Sequence, residues 1–251
     1  MEHLIESDEG GWTRLILNRP AAKNALNTGL LADLASVLNR LAGDPGCRAV
    51  LLHGAEGNFA AGADIAEMET KSSSDAALDP RKAHWAAIRA FPKPLVAAVE
   101  GFALGGGLEL ALMADLLLVG DTARLGLPES NLGIIPGAGG GQRLMARVGP
   151  ARAARLVLTG EIIDADTAFA WGLASHRVND ALAEGATLTA RLAVRAPLAL
   201  AAAKAALVEG AEAALALTSE RAAFEALLDS QDKAEGIRAF REKRKPVYQG
   251  N

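Results

Sequence analysis

Short runs of leucine and β-branched residues alternate along the chain with longer stretches in which apolar residues recur every three or four positions. The first pattern suits a strand buried on both faces of a parallel sheet, the second a helix burying one stripe. A strand is expected at residues 12–17, ending at Asn18-Arg19-Pro20. A helix follows at 28–41, with Leu30, Leu31, Leu34, Val37, Leu38 and Leu41 on one side, and Asp44-Pro45-Gly46 punctuates it before a buried strand at 49–52. Residues 71–80, KSSSDAALDP, are polar, serine-rich and closed by proline, and read as a mobile surface loop. A helix at 85–90, a strand at 95–99, a helix at 108–114 and a strand at 116–119 continue the alternation, so the fold class is α/β with a largely parallel sheet. From Ala151 onward strand-like runs vanish, and alanine-rich helices are expected at 151–158, 165–171, 181–192 and 198–207. A domain change is placed near residue 190, with Arg195-Ala196-Pro197 as hinge. The last amphipathic segment, 213–243, carries Leu215, Phe224, Leu227, Leu228, Ile237 and Phe240 and must bury its apolar face on its own body or on a neighbouring subunit.

With 251 residues, half of them hydrophobic, the chain can bury one large core or two modest ones. Its single thiol, Cys47, excludes an internal disulfide. Thirty acidic against 26 basic residues give a net charge of −4, which leaves no cationic face for nucleic acid, so no nucleic-acid partner is expected. The opening MEHLIESDEGG carries acids where a secretory signal would be basic and then apolar, and the apolar stretches near residues 94–119 are broken by Glu100, Glu109, Asp115 and glycines. A cytoplasmic protein with no membrane partner is the expectation.

Three glycine-rich turns concentrate the candidate chemistry: Ala60-Ala61-Gly62-Ala63-Asp64-Ile65, Gly105-Gly106-Gly107-Leu108-Glu109-Leu110, and Gly126-Leu127-Pro128-Glu129 running on to Pro136-Gly137-Ala138-Gly139-Gly140-Gly141. A glycine run between strand and helix is commonly only a tight turn. The second run directly precedes a helix, whose free first-turn N–H groups suit a developing oxyanion. Glu109 in that first turn is favoured by the helix dipole alone. Glu129, flanked by Leu125, Leu127 and Leu132, is either solvated or, if buried, poised as a general acid or base.

Other motifs fail on spacing. Counting Gly-x-Gly-x-x-Gly from Gly105 or Gly137 ends on Leu110 or Gln142, and there is neither a Walker lysine nor a Gly-x-Ser-x-Gly frame around Ser130 or Ser175. His3, His53, His84 and His176 are scattered with no helical pairing, so no metal is implied.

Together, Leu17-Asn18-Arg19-Pro20, Asn24-Ala25-Leu26-Asn27, the three glycine turns, Gly133-Ile134-Ile135-Pro136 and the tail Glu235-Gly236-Ile237-Arg238-Ala239-Phe240 resemble the enoyl-CoA hydratase/isomerase (crotonase) family nearly end to end. The resemblance implies a spiral of ββα units in a core of residues 1–190, carrying the CoA site and active site. It implies a helical trimerisation domain at 191–251 and homotrimers that stack into hexamers. It places the thioester carbonyl on the N–H groups of Ala63 and Gly106, and one such donor is worth roughly 3 kcal/mol of transition-state stabilisation. It makes Glu109 the activator of water and Glu129 the proton donor at Cα, the two carboxylates of a hydratase, with isomerases and other acyl-CoA chemistries of the family as alternatives. The CoA moiety, part of the substrate and not a separate cofactor, would meet Ala61, Ala63, Asp64 and Ile65, with Lys23 and Lys243 near its phosphates. The chain departs from common family patterns at Ala66, Leu125 and Gly141, where Lys, Phe and Thr are frequent. Acyl specificity is expected to depend on walls built by the 71–80 segment and the C-terminal helices.

Overall fold

The computed structural model describes residues 3–212 and 217–249. Among the described residues nine strands run in chain order: β1 Leu4–Asp8, β2 Thr13–Leu17, β3 Val50–Gly54, β4 Leu95–Val99, β5 Phe102–Leu104, β6 Leu116–Val119, β7 Arg124–Gly126, β8 Ile163–Asp164 and β9 His176–Arg177. Six form one sheet in the order β1-β2-β3-β4-β6-β9, parallel except for the β1–β2 hairpin. The other three form a small sheet, β5-β7-β8.

The helix Thr28–Gly43 starts where Asn27 caps it, its side chain accepting from the Leu30 amide, and it buries all six apolar positions expected of it. Each such leucine contributes up to about 1.5–3 kcal/mol by leaving water. β4, Leu-Val-Ala-Ala-Val, is wholly buried: Leu95, Ala97 and Val99 join the main core, while Val96 and Ala98 face a second cluster under the helix Ala181–Ala193.

Consecutive strand pairs place the turns. β4 lies in the large sheet and β5 in the small one, and the same holds for β6 and β7, so each pair crosses from one sheet to the other. Ala60 bridges Ala103 in parallel, and β5 runs parallel to β7. Three neighbouring stretches thus run side by side in one direction, and all three glycine turns leave from the same end of them. That is how segments some 25 to 65 residues apart in sequence reach one place.

Three expectations are corrected. Residues 71–80 are not an irregular loop: Ser72 and Asp75 form a capping box on a helix, Ser73–Ala77, and Asp79 is buried. Strands do not vanish after residue 151, since β8 and β9 remain, each too short to show a period. The helix expected at 108–114 begins earlier and ends sooner, at Gly106–Ala111. Residue 190 itself lies in the helix Ala181–Ala193, and residues 194–196, beside the expected hinge, separate it from the next helix, Pro197–Glu212. In the C-terminal segment, Leu215 lies outside the described residues, whereas Phe224, Leu228 and Ile237 are buried against the body of the chain and Phe240 is exposed. No helix among the described residues is long and apolar enough to cross a membrane.

Candidate active site

Leu26 bridges Ala63 in parallel, its N–H donating to the Gly62 carbonyl and its carbonyl accepting from Asp64. That register skips Ala63, whose N–H has no partner among the described residues. Gly106 opens the helix Gly106–Ala111, so its N–H is likewise outside the helical ladder and unpartnered. The two amides are neighbours: a Cβ built on Gly106 would lie 3.5 Å from the Ala63 nitrogen. Gly105 makes the turn with φ 50° and ψ −127°, a conformation glycine adopts without strain, and a Cβ there would come within 3.1 Å of Glu129 Oε1. Two unpaired donors side by side beside a carboxyl group have the geometry needed to hold an oxyanion.

Glu109 is 4% exposed, and its Oε1 accepts from the amides of Ala138 at 2.7 Å and Gly140 at 2.9 Å. Burial pushes its pKa above the ordinary carboxylate range, against the pull of those amides and of the Arg143 charge. Glu129 sits in the short helical turn Pro128–Leu132, also buried, and its Oε2 has no hydrogen-bond partner among the described residues. Burial, then the neighbouring Glu109 charge, then Glu220, push its pKa well above the usual value. Two carboxyl groups therefore sit in one low-dielectric site, one held by amide donors and the other almost without them. The protonated form is thereby favoured more strongly at Glu129 than at Glu109.

Ala61, Ala63, Ile65, Gly106, Glu109 and Glu129 line a single cavity. The Ala61 N–H is used inside the fold, donating to the Lys23 carbonyl at 3.0 Å. Asp64 does not line the cavity: its carboxylate caps the helix Ile65–Glu69 at the Ala66 amide and pairs with Arg19 at 2.9 Å. Lys23 lies over the Phe102 ring at 4.8 Å, and Lys243 ends the helix Gln231–Glu242 in a left-handed conformation; neither lines the cavity.

The structure adds residues to which sequence reasoning assigned no role in the site. Arg81, Trp85, Arg221 and Phe224 also line the cavity. Glu220 accepts from the Gln142 amide at 3.2 Å, and its pKa is pushed up to about 7 by burial and then by the Glu109 charge. Gly141 makes room for it, since a Cβ there would sit 2.7 Å from Glu220 Oε2. The prior signal for these residues was general, that the 71–80 segment, which ends just before Arg81, and the C-terminal helices build walls of the acyl pocket.

Residues 8–251 match the model of the family described as enoyl-CoA hydratase/isomerase. The chain is 46% identical to the 2,3-dehydroadipyl-CoA hydratase of Escherichia coli strain K12 over the whole of both chains. It is 42% identical to a probable enoyl-CoA hydratase of Rhizobium meliloti over 98% of each. The crystal structure of an enoyl-CoA hydratase/isomerase from Pseudoalteromonas atlantica superposes with a TM-score of 0.89 at 32% identity, covering 98% of this chain and all of the other. The fold is that of the crotonases, and the chain belongs to the enoyl-CoA hydratase/isomerase family.

Proposed function

We propose that this chain adds water across the double bond of trans-2-enoyl-CoA thioesters to give 3-hydroxyacyl-CoA, with Glu109 and Glu129 as the acid–base pair and Ala63 and Gly106 as the oxyanion donors. The observation that carries the reading is the convergence of two unpartnered amides and two buried carboxyl groups on one cavity. The family match and the hydratase names of its relatives support it.

The thioester oxygen accepts from the Ala63 and Gly106 N–H groups, which polarises the conjugated system and stabilises the enolate formed when Cβ is attacked. Glu109, its Oε1 committed to two amides, is the member favoured as carboxylate and takes a proton from water as the hydroxyl oxygen bonds to Cβ. Glu129, buried with an orphan oxygen, is the member that carries a proton and delivers it to Cα. Water is thereby split across one face, and the proton held by Glu109 returns to Glu129 to restore the site.

Incubation with crotonyl-CoA should erase the absorbance of the conjugated thioester. Glu109→Gln and Glu129→Gln should each lower turnover by about 10²- to 10⁴-fold with the fold intact by circular dichroism. Wild-type turnover in either variant would remove that residue from the mechanism.

Coenzyme A bound along Ala61 and Ile65, with Lys23 and Lys243 meeting its phosphates outside the cavity lining, and assembly into trimers or pairs of trimers in the cytoplasm, complete the proposal. Light scattering after size exclusion reads the assembly directly. The exposed side chains of Leu158, Phe169, Leu198 and Leu207 are consistent with subunit contacts.

A further inference from the structure

The helix Leu217–Leu227 brings Arg221 to the wall of the cavity. Its guanidinium is held from three directions: Nε donates to Glu225 Oε1 at 2.7 Å, Nη1 donates to the Gly137 carbonyl at 3.3 Å, and the group lies 5.0 Å from the centre of the Phe224 ring. Nη2 is left over. It is buried and has no hydrogen-bond partner among the described residues. A fixed, charged donor without an acceptor is unfavourable until something supplies one, and the strongest planar match for a guanidinium is a carboxylate.

The local charge points the same way. Glu225 serves two cations, Arg221 and Lys82, the latter at 2.5 Å. Asp79 likewise serves Arg81 and Lys71, at 2.5 Å and 2.9 Å. Each group carries one positive charge in excess, and Arg81 and Arg221 both line the cavity. Glu220, one residue before Arg221, directs Oε2 to the Gln142 amide and accepts no hydrogen bond from the guanidinium.

We propose that Arg221 receives a second carboxylate at the far end of the acyl chain, so that the preferred substrates are short 2-enoyl-CoA esters of dicarboxylic acids. This deepens the hydratase reading and rests on it. The reach fits. Gly137 O, which accepts from Arg221, and Ala138 N, which donates to Glu109, belong to one peptide unit; with the 3.3 Å and 2.7 Å contacts this sets Arg221 within about 8 Å of the Glu109 carboxylate. In a six-carbon ester, three carbon–carbon bonds of about 1.5 Å carry the terminal carboxyl roughly 4 Å beyond the hydrated carbon, enough to bridge a water at Glu109 and the guanidinium at Arg221. A neutral tail of the same length leaves Nη2 bare.

The test sets two six-carbon esters against each other, 2,3-dehydroadipyl-CoA with its terminal carboxylate and trans-2-hexenoyl-CoA without it. The wild-type enzyme should favour the first by at least about tenfold in kcat/KM, and Arg221→Met should bring the ratio close to one, with Arg221→Lys between. The unreactive saturated esters, adipyl-CoA and hexanoyl-CoA, titrated by calorimetry, should show the same preference and the same loss. Equal kcat/KM for the two esters in the wild type, which needs no variant to fold, overturns the proposal. So does an equal loss on both esters in Arg221→Met, which would assign the guanidinium to a CoA phosphate. If neither unsaturated ester is hydrated while adipyl-CoA still binds more tightly through Arg221, the hydratase reading fails and the carboxylate receptor stands.

Discussion

The strand-to-turn segments that carry Ala63, Gly106, Glu109 and Glu129 and the helix that carries Glu220, Arg221 and Phe224 face the same cavity, yet they specify it by different means. In the first region the backbone does the work. Two N–H groups are free because of a bridge register and a helix start, and glycines at 105 and 140 let carboxylates approach the main chain. In the second region everything is side chain: an ion pair, a ring contact, a carboxylate on an amide. Backbone geometry of this kind is fixed by the sheets and suits a reaction step common to many substrates. Side-chain walls on a helix can change without moving the sheets, and suit the part of the substrate that varies.

The sharpest way to break this contrast is to disturb the backbone region by one carbon. A Cβ at Gly140 would lie 2.6 Å from Glu109 Cγ and 2.9 Å from its Oε1. Gly140→Ala is therefore expected to push Glu109 off its amides and lower kcat by about a hundredfold, the scale of an ångström-sized misplacement of a catalytic group. Steady-state rates with crotonyl-CoA check it, and a variant within a few-fold of wild type would mean that the amide pair does not position Glu109.

The contrast also explains what could be read from residues alone. The helix at 28–41 and the strands at 95–99 and 116–119 were legible because a buried stripe or run leaves a periodic mark, and the glycine turns because only glycine permits such close approach. Glu220 and Arg221 were not legible. On a helix in an alanine-rich segment Glu220 reads as a solvated charge and Arg221 with Glu225 as an ordinary i,i+4 pair, and only tertiary contact turns Glu220 towards the Gln142 amide and Arg221 towards Gly137. β8 and β9 escaped because two residues make no pattern.

A milder intervention asks whether the helix also tunes the backbone-built site. The Glu220 carboxylate is one of the charges that raise the Glu129 pKa, after burial and Glu109. In the proposed mechanism Glu129 donates as the protonated acid, so its pKa should set the alkaline limb of the pH profile of kcat/KM. Glu220→Gln removes that charge, lowers the Glu129 pKa and should move the alkaline limb to lower pH. The effect should be confined to pH values above about 7, where Glu220 itself ionises. An unchanged limb would confine Glu220 to holding the Gln142 amide.

The smallest expected effect on catalysis falls on the segment at 71–80. Its polar composition reads as a mobile loop, yet Asp79 is buried there and takes Arg81 through Nε at 2.8 Å and Nη2 at 2.5 Å, together with Lys71. Burial alone would raise the Asp79 pKa, but the two cations and the Arg81 amide outweigh it and hold the carboxyl far below its ordinary value. A depressed folded-state pKa contributes stability that is complete above the unfolded value, near 4, and is lost as pH falls further. Asp79→Asn should therefore cost about 1–3 kcal/mol at neutral pH, seen as a lower Tm, and the gap between variant and wild type should narrow progressively below pH 4. Since Arg81 lines the cavity, the same variant should change the ratio of charged to neutral acyl esters more than it changes turnover of either. A gap in Tm that stays constant from pH 7 to pH 3 would mean that the paired charge is not what anchors this wall.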